Sequence, residues 1–183
     1  MTAQPSDKRL NGEVGILDEV KVDLTFHSLT LFVKDVEKSK NFYNTVLGQK
    51  IVMDFGRYVG FEGGLGIWER EYALNLIFQE ETQGIKVGAN NAEIYYESDN
   101  IDELFKRLLE ENITVIHSIR EQPWGQRVFR VYDPDNHIIE FAESMANVVL
   151  RLALKGFNLE EIAKKSEMSM EFIKMVLEKQ KES

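Results

Sequence analysis

The sequence predicts an α+β fold in which one β-α-β-β-β module occurs twice, forming a curved mixed sheet around a cavity, with a helical tail behind it. Three observations predict this. Residues 28–33 and 93–97 are both alternating stretches, and each is followed by a cap-like polar residue and an apolar-striped segment of helical length. The two copies keep one register, with Asp35 corresponding to Asn100 and Ser28 to Glu93. After Ser144 the apolar spacing changes to the helical period and stays there. A duplicated unit buries its core by pairing the copies, and curved sheets commonly enclose a cavity.

In the first strand Leu29, Leu31 and Val33 form one face, and Ser28, Thr30 and Phe32 the other. Asp35 is placed to cap a helix over 36–47, where Phe42, Tyr43, Val46 and Leu47 make the apolar stripe and Gly48 suits the C-terminus. Strands follow near 50–55, 58–61 and 65–68, with Gly63-Gly64 as the turn between the last two. In the second copy the strand 93–97 leads through Asp99-Asn100, a turn and cap, into a helix over 101–111 with Leu104, Leu108 and Leu109 on one face. Strands near 114–119, 127–132 and 137–142 complete it. The expected divisions are an extension over 1–22, a domain over 23–145 with modules near 23–82 and 91–145, and a tail over 146–183.

The chain has 183 residues, 43% hydrophobic and 29% charged, which is ordinary for a globular domain with an appendage. A net charge of −9 repels phosphate backbones and disfavours general nucleic-acid binding. The absence of cysteine removes disulfides and thiolate metal sites and fits a reducing compartment. No stretch has the length and hydrophobicity of a signal peptide or membrane span, so a cytoplasmic protein is expected.

Asp133-Pro134-Asp135-Asn136 is a turn with a mechanism: proline sets φ, while Asp and Asn bond their own backbone and tolerate left-handed geometry. On the strand after it, Glu140 shares a face with Ile138 and Ala142, while Ile139 and Phe141 point the other way. A carboxylate in that position is solvated, held by a neighbouring Arg127 or Arg130, or aimed at a ligand.

The motif Val33-Lys34-Asp35-Val36-Glu37-Lys38-Ser39, continued by Phe42-Tyr43 and Val46-Leu47-Gly48, and the late Asp-Pro-Asp-x-His-x-Ile-Glu turn resemble the glyoxalase/bleomycin-resistance/dioxygenase family, the vicinal oxygen chelate fold. The resemblance spans roughly residues 24–145, and the segment from Pro123 to Asp135 resembles a subgroup with a C-terminal helical tail. It implies metal-dependent isomerases, dioxygenases, antibiotic-modifying enzymes or drug-binding proteins. The family's metal-dependent members use one side chain from each of four strands. The matching positions here are Ser28, Gly66, Glu93 and Glu140, so one is a hydroxyl, one is empty and two are carboxylates. His27 is one residue out of register, and a one-residue slip reverses a strand's face. Glu93 and Glu140 are the candidate catalytic pair and the only candidate ligands for a divalent cation such as Mg²⁺ or Mn²⁺. If both faced one dry cavity, repulsion would raise one pKa and make that group a candidate general acid or base.

Candidate ligand-binding residues are Ser28, Thr30, Phe32, Trp68, Tyr95, Trp124, Arg130 and Tyr132, an aromatic set with a charge, suited to a small flat organic ligand. Ordinary sheet packing explains the same tyrosines, and Trp124 equally suits a lid or a homodimer anchor. His117 is isolated in the sequence, and His137 sits in a turn where a surface role is expected. Neither a phosphate-binding loop nor a Gly-x-Ser-x-Gly nucleophile motif is present. In the tail, Asn158 with Glu161 forms a capping-box pattern and Ser169 precedes a stripe of Phe172, Ile173, Val176 and Leu177. The pattern resembles a helix-turn-helix, but Lys174, Lys179 and Lys181 are offset by Glu171, Glu178 and Glu182. The function expected is therefore binding of a small organic molecule without the family's complete metal site. The alternatives are a metal-dependent lyase, isomerase or dioxygenase-type enzyme using Glu93 and Glu140, and a ligand-responsive regulator acting through the tail.

Overall fold

Each module builds its own four-stranded mixed sheet. In the first, β1 (Leu29–Val33) runs parallel to β4 (Leu65–Glu69), and β3 (Tyr58–Phe61) and β2 (Ile51–Asp54) follow outward in antiparallel order. In the second, β5 (Glu93–Ser98) runs parallel to β8 (Ile138–Glu143), followed by β7 (Arg127–Tyr132) and β6 (Val115–Glu121). The structure, a computed structural model, describes residues 25–78 and 88–181, so the expected extension over 1–22 lies outside the described residues. The sheet order is the same in both copies, as a duplication requires.

Alternation sorts the side chains. Val33, Val59, Phe61 and Ile67 from the first sheet meet Phe129, Val131, Ile139 and Phe141 from the second in one buried cluster. The helices close it: α1 (Val36–Asn41) and the π-helical turn Phe42–Val46 contribute Val36, Phe42 and Tyr43, and α3 (Ile101–Glu110) contributes Ile101 and Leu108. Each large side chain buried there stabilises the fold by roughly 1.5–3 kcal/mol.

Three local expectations need correction. The helix expected over 36–47 is α-helical only to Asn41; it then widens, with the Leu47 N–H donating to the Phe42 carbonyl at 3.0 Å. The wider turn lets the sequence neighbours Phe42 and Tyr43 both enter the core. A helix α2 (Arg70–Phe78) follows β4 where none was expected. Its apolar residues do not form one stripe; Ala73 and Leu74 are buried, while Leu76, Ile77 and Phe78 are exposed. Asn100 precedes α3 but its side chain makes no capping bond. Asp35 does cap α1, accepting the Lys38 N–H at 3.0 Å, and Gly63 and Gly64 take φ of +87° and +90° in the expected turn.

The Asp-Pro-Asp turn joins the two modules. Asp135 accepts the Lys34 N–H at 3.0 Å and the Ser39 hydroxyl at 3.3 Å. Asp133 Oδ1 accepts the N–H groups of Asp135 and His137, and its Oδ2 accepts the Tyr43 hydroxyl at 2.8 Å and meets His137 Nδ1 at 2.9 Å. Burial works against the Asp133 charge, but the bonds from His137 and Tyr43 prevail and hold its pKa below the usual carboxylate value. Burial, and then the Asp133 charge, pushes the Tyr43 hydroxyl well above its ordinary value, so it stays a donor. His137 is thus a structural member of the joint, contrary to the surface role expected of it.

The tail forms three helices, α4 (Met145–Leu154), α5 (Leu159–Ser166) and α6 (Met170–Lys181), around a second core of Val148, Val149, Leu152, Ile162, Ile173 and Val176. Asn158 and Glu161 complete the expected capping box, and Ser169 accepts the Phe172 N–H at 3.2 Å. Among the described residues no helix is long and apolar enough to cross a membrane.

Candidate functional site

The face of the second sheet turned away from α3 carries the candidate site. Strand register sets it out in a row: Tyr95 pairs with Glu140, Glu140 with Arg130, and Arg130 with His117. Side chains in register share a face, so these four residues from β5, β8, β7 and β6 stand side by side. Glu93 and Tyr132 flank the row, both in register with Ile138.

Arg130 is the centre of this group. Its Nε donates to Glu93 Oε2 at 2.9 Å, its Nη2 contacts Glu140 Oε2, and its Nη1 lies 3.3 Å from His117 Nε2. A guanidinium can only donate, so His117 Nε2 must accept. The other ring nitrogen, Nδ1, then carries the proton and donates to the Ser118 carbonyl at 2.8 Å. Glu140 is 5% exposed while the Glu93 side chain is 42% exposed, so Arg130 ties a buried carboxylate to an open one. The cation stands between the two carboxylates, so they do not face each other unpaired across a dry cavity.

A second network borders the first. The Trp124 indole N–H donates to Gln126 Oε1 at 2.9 Å, and Gln126 Nε2 donates to the Tyr95 hydroxyl at 3.0 Å and to the Glu143 carbonyl at 2.8 Å. The Tyr95 hydroxyl donates to Glu97 at 2.9 Å. Burial raises the Tyr95 pKa, Gln126's donated bond lowers it and Glu97 raises it; the net shift is upward and keeps the hydroxyl protonated.

The remaining candidates stand on the first sheet. Thr30 pairs with Gly66 and Phe32 with Trp68, so they share one face. Trp68 meets Phe32, Tyr58 and Tyr72 edge-on, with ring centroids 6.3–6.4 Å apart. Ser28 precedes β1 and is exposed. None of the hydrogen bonds, ion pairs or ring contacts among the described residues joins this group to the row on the second sheet.

A model of the glyoxalase-like domain matches residues 26–146. The chain belongs to the glyoxalase-like family. A solved protein of unknown function from Agrobacterium tumefaciens is 38% identical over 68% of this chain and 98% of its own length, with a TM-score of 0.62. A glyoxalase/bleomycin resistance protein/dioxygenase from Nocardioides is 22% identical over 68% of this chain and 86% of its own, with a TM-score of 0.55; this likeness is one of fold. A member of the same superfamily from Sphaerobacter thermophilus is 25% identical over 67% of this chain and 98% of its own, with a TM-score of 0.51.

Family membership raises the question of a divalent metal, and the residues at the four matching positions do not fit one. Gly66 offers no donor, and the Tyr58 hydroxyl stands where its Cβ would be directed. Ser28 is exposed at the Gly64 turn, whose carbonyl accepts the Leu29 N–H. Glu93 and Glu140 are both taken up by Arg130. Among the described residues no three His, Cys, Asp or Glu side chains are grouped to hold a metal ion.

Alternation within each strand pairs Glu93 with Tyr95 and Arg130 with Tyr132; the pairing of β5, β8 and β7 is what brings these residues and Glu140 onto one face. Sequence reasoning missed His117, which looked isolated, because β6 pairs with β7 through register shifts on both sides of His117. It also missed Gln126, whose signal was a polar residue at a strand entrance two positions after Trp124.

Proposed function

We propose that this chain binds a small organic molecule on the open face of its second sheet, and that Arg130 does there the electrostatic work that a metal does in other members of the family. The observation that carries the reading is the placement of one guanidinium between Glu93 and Glu140, the two carboxylates at matching metal positions. Held from two sides, Arg130 is a fixed cation, and a fixed planar donor recognises an anionic or carbonyl group at little entropic cost. The exposed edges of Glu93 and Glu97 accept N–H or O–H groups, and the half-exposed rings of Tyr95, Tyr132 and Trp124 suit a flat ligand. The same guanidinium argues against the alternative of a metal-dependent lyase, isomerase or dioxygenase built on Glu93 and Glu140.

A thermal-shift screen of a metabolite library tests this reading. Compounds that stabilise the wild type should lose their effect in Glu93→Gln and Tyr95→Phe. If no compound stabilises the wild type, ligand binding is refuted. If the shifts persist in both variants, the ligand sits elsewhere. We place the protein in the cytoplasm as a homodimer. The apolar side chains of Val52, Met53 and Phe55 at the outer edge of the first sheet are exposed and support self-association. Light scattering at micromolar concentration should give twice the 21.2 kDa chain mass.

A further inference from the structure

Arg151 of α4 ties the helical tail to the candidate site. Its Nε donates to Glu143 Oε1 at 3.0 Å, and its Nη2 reaches Glu143 Oε2 at 2.8 Å. The same Nη2 donates to the Gly125 carbonyl, and Nη1 donates to Glu121 Oε2 at 3.3 Å. Lys165 of α5 adds a 3.2 Å ion pair to Glu121, and Gly125 packs beside Val148 and Lys165. Arg151 therefore grips both partners that flank Gln126: the turn carrying its backbone, and Glu143, whose carbonyl accepts its amide. Gln126 is 4% exposed and all of its amide contacts are directional. It accepts from Trp124 and donates to Tyr95 and Glu143, so it has one orientation and passes that orientation on.

Resting on the ligand face proposed above, we propose that the tail sets the geometry of that face, with Arg151 as a positioning residue that holds Trp124 and the Tyr95 hydroxyl in place through Gln126. A bidentate arginine fixes its carboxylate in angle as well as distance, which a lysine does not. The tail is then a part of the site, and anything that displaces α4 alters Trp124 and Tyr95 before it touches the Arg130 row.

The test uses the full chain and needs no ligand. The protein has two tryptophans, so Trp68→Phe leaves one indole N–H resonance, that of Trp124. In this background Arg151→Lys should move that resonance and speed its exchange with water severalfold. Glu143→Gln, a milder change, should move it in the same direction. Asn147→Ala cuts a separate tie between tail and domain, the bond from Asn147 Nδ2 to the Asp99 carbonyl, and should leave the resonance in place. The proposal is overturned if Arg151→Lys and Glu143→Gln leave the resonance unmoved, or if Asn147→Ala moves it as far. Because the readout is the indole itself, a moving resonance beside a fruitless library screen would sustain the coupling and defeat only the ligand reading.

Discussion

Replacing Arg130 by methionine strips the buried Glu140 carboxylate of its partner while keeping the length of the side-chain stem. Removing one member of a buried ion pair typically costs about 3–5 kcal/mol, because the other is left charged and desolvated. Here the Arg130 side chain is 27% exposed and that of Glu140 only 6%, so water can reach the abandoned carboxylate from one side. The expected loss is accordingly about 2–3 kcal/mol at pH 7. Glu140→Gln leaves Arg130 still bonded to Glu93 at 2.9 Å and should cost about 1 kcal/mol. The double variant should be no worse than Arg130→Met alone, which leaves a coupling energy on the order of 1 kcal/mol. Urea unfolding followed by near-ultraviolet circular dichroism reads the sheet domain. A loss below about 0.5 kcal/mol for Arg130→Met, the size of an exposed surface pair, would refute the reasoning, as would strict additivity of the two changes.

Further outcomes are expected. Arg130→Ala frees Glu93, Glu140 and His117 Nε2, and the variant should bind Mn²⁺ in calorimetry at concentrations where the wild type shows no heat; equal heats would mean that the guanidinium does not occupy a cation's place. Asp133→Asn should lower stability by about 1–3 kcal/mol at neutral pH, since a carboxylate serving four partners is lost from the joint. The depressed Asp133 pKa makes its contribution complete above about pH 4, the unfolded carboxylate value, and lost as pH falls through the lower folded value. Wild-type and variant stabilities should therefore converge in acid, and a gap that stays constant from pH 7 to pH 2 would contradict this assignment. Gly88 has φ of +68°, and a Cβ there would lie 2.5 Å from the Asp135 carbonyl oxygen. Gly88→Ala should cost about 2–3 kcal/mol in thermal or urea unfolding, from left-handed strain plus a backbone clash, and an unchanged midpoint would show that the turn can yield.

Much of the architecture was legible in the chain because it follows from period and punctuation. Two-residue alternation marked the strands, and Asp35, Gly63-Gly64, Asn158 and Ser169 marked the ends of elements through their own side chains or φ preferences. The misses have physical causes of the opposite kind. The π-helical turn at Phe42–Val46 answers to the core that both Phe42 and Tyr43 enter, and α2 lacks the single apolar stripe by which a helix shows itself. Asn100 carries a capping residue's identity without its bond.

Sequence alone determined which residues could share a face, since alternation is a property of the strand itself. It gave Arg130 a face opposite Phe129 and Val131, and Glu140 a face opposite Ile139 and Phe141. Only the tertiary structure decided what those residues do to one another. Arg130 lies between Glu93 and Glu140 because β7 pairs with β8 and β8 with β5, and His117 joins them through a shifted register that no local pattern announces. The Asp-Pro-Asp turn has the same history. Its shape is local, but its burial against Lys34, Ser39 and Tyr43 arises because two copies of one module must close a common core.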